Sequence, residues 1–73
     1  MSELDQIIVA TFLERTYVRN AHTAIHAKTG NTIYFIKKRI TQLRKNRLIY
    51  RFGDGTYETT TIGKIELRQY YEN

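Results

Sequence analysis

Apolar residues near the start of the chain recur at helical spacing. Leu4, Ile7, Ile8 and Phe12 predict a helix from about Glu3 to Glu14, with Ser2 as its N-cap and Asp5 placed as in a capping box. Val9 and Leu13 lie on another side, so its apolar surface is broader than one buried stripe requires. Within the connector Arg15 to Arg19, the β-branched and aromatic run Thr16-Tyr17-Val18 predicts a brief strand. Asn20 stands where it can cap a short second helix through about Lys28, with Ala21, Ala24 and Ile25 turned inward. Thr29-Gly30-Asn31 reads as a turn in which Gly30 takes positive φ. Thr32 then caps a third helix, Ile33 to about Lys45, whose apolar Ile33, Ile36, Ile40 and Leu43 form one narrow stripe.

Asn46 is suited to end that helix in a left-handed conformation. Leu48 to Phe52 reads as a strand, Asp54-Gly55 as a tight hairpin turn and Thr56 to Thr59 as the return strand. Thr60 or Thr61 caps a last helix through about Glu72, with Ile62 and Ile65 facing one way and Leu67, Tyr70 and Tyr71 another. The predicted order is helix, short strand, helix, helix, hairpin, helix. This is an α+β fold, mostly helical, in one domain over residues 1–73.

Charge changes the picture more than size does. Ten bases fall between Arg15 and Gly53 (Arg15, Arg19, Lys28, Lys37, Lys38, Arg39, Arg44, Lys45, Arg47 and Arg51), and no acid interrupts them. A solvated surface normally mixes both signs, so this stretch points to a polyanionic partner. The chain has no cysteine, which excludes a disulfide framework, a thiolate metal site and a cysteine nucleophile. No apolar run approaches the roughly 20 residues that cross a bilayer, and the start, Met1-Ser2-Glu3-Leu4-Asp5, is unlike a signal peptide. A soluble, cytoplasmic protein is expected, without membrane contact.

The run from Gly30 to Lys64 resembles the winged helix-turn-helix domains of bacterial and archaeal regulators. Gly30-Asn31-Thr32-Ile33-Tyr34-Phe35-Ile36, then Ile40, Leu43 and Leu48-Ile49, matches a Gly-terminated helix followed by a capped recognition helix. Tyr50-Arg51-Phe52-Gly53-Asp54-Gly55-Thr56-Tyr57 matches a wing, and Thr60-Thr61-Ile62-Gly63 matches a Thr-x-x-Gly start to the next helix. The likeness covers about residues 4–67 and looks nearest to small stand-alone transcription regulators of archaea and archaeal viruses; a viral chain would then act inside its host cell. Asn46-Arg47 departs from it, standing where the family often has an acid and a glycine. The resemblance implies a three-helix core, a recognition helix over about 33–45, a β-hairpin wing over about 48–59 and a C-terminal helix over about 61–72.

Helix 3 opposite its apolar stripe carries Tyr34, Lys38, Thr41 and Lys45, flanked by Lys37 and Gln42. Cations can hold phosphates there while Thr41 and Gln42 meet base edges in a major groove. Arg47 and Arg51, both on the first wing strand, suit backbone or minor-groove contact, and Arg19, Asn20 and Thr23 at the start of helix 2 suit phosphate. The expected partner is double-stranded DNA. His22 and His26 have metal-binding spacing but no third ligand beside them, so no metal, cofactor or small-molecule ligand is expected. No nucleophile elbow, phosphate loop or acid–base pair points to an enzyme. Val9, Leu13, Leu67, Tyr70 and Tyr71 are surplus to one small core and suggest a homodimer contact; alternatively they close a monomeric core. The function expected is sequence-specific regulation of transcription. An architectural or replication-associated DNA binder and a protein-docking module remain alternatives.

Overall fold

A computed structural model of the chain describes residues 2–72, with side chains through residue 70. Its elements are α1 (Glu3–Glu14), β1 (Tyr17–Val18), α2 (Ala21–Thr29), α3 (Ile33–Lys45), β2 (Ile49–Arg51), β3 (Tyr57–Thr59) and α4 (Thr61–Glu72). The order is the one the periodicity predicts. The strands form one antiparallel sheet in the order β1-β3-β2, so the fold is α+β and mostly helical.

Helix α1 is the centre of the molecule. Ile8, Val9 and Phe12 are buried, Leu4, Ile7 and Leu13 pack against the same core, and the helix touches α2, α4, β1 and β3. That corrects one expectation: Val9 is enclosed by this chain, not surplus to it, because α1 is covered on several sides. Its C-terminal end is tied to the sheet. The buried Thr59 hydroxyl donates to the Phe12 carbonyl at 2.7 Å, and the Thr59 N–H donates to the Thr16 carbonyl at 2.9 Å.

Local chemistry sets the helix boundaries. Ser2 accepts from the Asp5 N–H, and Thr32 accepts from the Phe35 N–H at 3.4 Å. Gly30 closes α2 at φ 72°. Asn20 departs from its expected role, lying in the left-handed region at φ 52° with no side-chain cap bond, and Ala24 is exposed where an inward position was expected. Closure of α3 also differs from expectation. Asn46 has φ −85°, and it is Arg47 that turns left-handed at φ 61°. The Leu48 N–H then reaches the Leu43 carbonyl and the Arg47 N–H the Arg44 carbonyl, both at 3.0 Å. This is a Schellman closure, with arginine in the slot that glycine usually fills.

Arg47 therefore precedes the sheet and does not share a strand with Arg51, since β2 starts at Ile49. The hairpin turns through three residues: the Phe52 N–H reaches the Thr56 carbonyl at 2.8 Å, and Gly55 sits at φ 89°. Thr60, not Thr61, caps α4, its hydroxyl accepting from the Gly63 N–H at 2.9 Å. Gly63 rests against the Leu48 backbone, and this contact selects the buried side of α4. Leu67, one turn on, is 3% exposed, whereas Ile62 and Ile65 are 56% and 57% exposed. Leu67 is thus core, not a surplus contact, and the two isoleucines face solvent. Tyr70 is exposed, Leu13 is half-buried, and the Tyr71 side chain lies outside the described residues.

Candidate nucleic-acid interface

The apolar stripe of α3 fixes what its other side can do. Ile36 and Ile40 are fully enclosed and anchor the helix; burying each is worth about 2 kcal/mol. Tyr34, Lys37, Lys38, Thr41, Gln42 and Lys45 are all exposed in consequence. Lys38 Nζ lies 5.2 Å from the centre of the Tyr34 ring, a cation–π contact that positions both groups on the first turns. Phe35, beside Tyr34 at 5.8 Å, is also exposed. Sequence reasoning assigned Phe35 no role, although its absence from the Ile33-Ile36-Ile40-Leu43 stripe was a signal that it faces outward.

Charge on α3 is left almost uncompensated. Among the described residues one ion pair occurs, between Arg39 and Asp5 of α1 at 3.6 Å. Arg39 is thereby drawn toward the α1 side, while Lys37, Lys38 and Lys45 meet no carboxylate among the described residues. Gln42, exposed one turn beyond Lys38, borders them. It lines a groove of about 270 Å³ between α1, α3 and α4, together with Asp5, Arg39 and Tyr70.

The candidates outside α3 divide into two groups. Arg19 and Asn20, ahead of α2, sit against the hairpin tip with Asp54, Gly55 and Thr56. Asp54 is held below the usual carboxylate range, first by the Thr56 amide and hydroxyl, with Arg19 adding to the effect. Thr23 is exposed on the first turn of α2. Arg51 is the cross-strand partner of Tyr57 and shares its face of the sheet, and its guanidinium runs up the hairpin toward Gly55.

His22 joins these pieces. Its ring packs edge-on to Tyr57 at 5.8 Å. Burial lowers its pKa, and Lys37 and Arg51 lower it further. The α2 start, α3 and the hairpin thus bring His22, Lys37 and Arg51 into one field of positive potential. His26, by contrast, is structural: its Nδ1–H donates to the Asn31 carbonyl at 2.6 Å and braces the turn into α3. Among the described residues no group of three potential metal ligands occurs. No described helix is long and apolar enough to cross a membrane.

Comparison of the chain with protein-family models, with curated proteins and with solved structures finds no match.

Proposed function

We propose that this chain is a winged helix-turn-helix protein that binds duplex DNA, with α3 in the major groove and the hairpin along the flanking backbone. The observation that carries the reading is the outward side of α3, where Tyr34, Lys37, Lys38, Thr41 and Lys45 lie together with no acid among them. Arg47 follows directly, and Arg51 and the α2 start flank it. Cations of this number suit phosphates on both sides of a groove, and Tyr34 and Thr41 are the neutral polar groups proposed to meet base edges. Sequence-specific control of transcription is the function proposed, without catalysis.

A second copy is part of the proposal. Its contact moves from the enclosed Val9 and Leu67 to Ile62, Ile65 and Tyr70, the apolar residues that α4 leaves exposed. Molar mass at micromolar concentration, with Ile65→Asp as the disrupting variant, tests that part.

The position of Gln42 favours one other reading, an architectural protein with little sequence preference. Gln42 is the side chain best able to pair with adenine, and it lies toward the α1–α4 groove.

Fluorescence anisotropy with a labelled duplex across a salt series tests DNA binding itself. Log affinity should fall with log salt at a slope of about −0.9 per phosphate contacted. The double variant Lys38→Glu, Lys45→Glu should lose at least about a hundredfold in affinity while keeping its fold. Unchanged binding in that variant would overturn the proposal.

A further inference from the structure

The outer face of the sheet carries a second constellation, unlike α3 in both charge and chemistry. Tyr17 of β1, Glu58 of β3 and Tyr50 of β2 lie in one row, because Glu58 is the register partner of both tyrosines. Directly opposed side chains share a face, with Cβ atoms about 5 Å apart. Phe52, two residues beyond Tyr50, points the same way, its ring centre 5.1 Å from that of Tyr50 and 6.4 Å from that of Tyr17. Three aromatic rings therefore share the face that carries Glu58. Tyr17 and Tyr50 are 59% and 57% exposed, and Phe52 is exposed too.

Glu58 is partly buried and forms no ion pair among the described residues, in a chain with twelve Lys and Arg against seven acids. Its position opposite Tyr17 raises the phenol pKa above the ordinary value. Beside the row, an open groove bounded by Tyr17 and Phe52 brings Glu14 and Asp54 near Arg15, Arg19 and Lys28, so charge there is nearly balanced. None of the proposed DNA contacts belongs to the row.

We propose that Tyr17, Tyr50, Phe52 and Glu58 form a docking site for an arginine side chain presented by a partner protein. Charge complementarity selects this occupant. A guanidinium is planar, stacks on aromatic faces and donates two parallel N–H bonds to a carboxylate. A phosphodiester or an acidic peptide would meet Glu58 with like charge. The site lies on the side of the sheet opposite the one shared by Arg51 and Tyr57, so it can be occupied whatever α3 contacts. The inference does not depend on the DNA reading.

The test is a nuclear magnetic resonance titration of the full chain with a capped Gly-Arg-Gly peptide. The same peptide with citrulline, neutral and of nearly the same shape, serves as the control. Resonances of Tyr17, Tyr50, Phe52 and Glu58 should shift saturably at millimolar peptide. The citrulline peptide, and the arginine peptide with Glu58→Gln protein, should each bind roughly tenfold more weakly. Glu58→Gln keeps size and strand register, so its spectrum otherwise stays that of the parent, and its duplex affinity should not fall. Equal binding of the two peptides, or no loss in Glu58→Gln, would overturn the proposal. So would movement of these resonances on simple dilution, which would assign the face to a second copy, or their response to a single-stranded oligonucleotide in place of the peptide.

Discussion

The amide end of α4 lies so close to Leu48, just ahead of β2, that a Cβ placed on Gly63 would overlap the Leu48 carbonyl oxygen. The Thr60 N–H reaches that same oxygen at 3.1 Å, and the Thr60 hydroxyl caps the Gly63 N–H. Thr60 and Gly63 thus dock the last helix by backbone contact, which explains the Thr-x-x-Gly pattern in physical terms. Gly63→Ala should destabilise the protein by about 3 kcal/mol, because the clashing atom is backbone and cannot rotate away. Gly53→Ala is the control. Nothing lies within 4 Å of its added methyl, and stability should stay within about 0.5 kcal/mol in denaturant melts.

Arg47 separates stability from function. Its left-handed backbone, φ 61°, is strained for a residue with a Cβ, and Arg47→Gly should stabilise the fold by about 0.5–1 kcal/mol. The same change removes a cation between α3 and the hairpin. Duplex affinity should fall and the salt slope should shrink by about one unit. Melts and anisotropy on one variant check both halves.

His22 makes pH a probe of the junction. Burial, then Lys37 and Arg51, push its pKa below the ordinary 6.5, so the fold favours the neutral ring. As pH falls through 6.5 toward the folded-state value, the unfolded chain takes up the extra proton and stability declines. Melts between pH 8 and pH 5 should show that decline, and His22→Gln should reduce it. A phosphate near Lys37 and Arg51 would offset the field that keeps His22 neutral. Duplex binding should then take up a proton and tighten from pH 8 to pH 6 in the parent more than in His22→Gln.

The Thr59 hydroxyl is a purely structural counterpart. It is the buried donor to the Phe12 carbonyl, and Thr59→Val replaces it with a methyl of similar size. The Phe12 carbonyl then loses its partner at a cost of about 1–3 kcal/mol. Equilibrium unfolding should register the loss, and duplex affinity at temperatures where the variant is folded should not change.

Helix α3 was legible in the sequence because its pattern has one solution: four aliphatics on one stripe, a threonine cap before them and charge elsewhere. Helix α4 had two. Ile62 and Ile65 on one side compete with Leu67 and Tyr70 on another, and hydrophobicity alone prefers neither. The smallest residue decides, since only Gly63 permits the approach to Leu48, and Leu67 follows it one turn later. In α1, Val9 looked surplus because a helix covered on several sides needs apolar residues around much of its circumference. Asparagine tolerates the left-handed shape better than arginine, so the sequence points to Asn46, yet hydrogen bonding to the Leu43 and Arg44 carbonyls fixes the turn one residue on, at Arg47. The aromatic row on the sheet is not legible in the sequence because it assembles residues from three strands, and strand pairing cannot be read from local pattern.

In the proposed function α3 reads duplex DNA. Selection of bound molecules from a randomised duplex library at moderate salt, followed by sequencing, puts that to the test. An enriched motif should emerge, palindromic with half-sites about one DNA turn apart if two copies bind, and the Lys38→Glu, Lys45→Glu variant should lose that enrichment. Binding without enrichment would contradict sequence-specific reading, and no binding even at low salt would contradict the DNA-binding account as a whole.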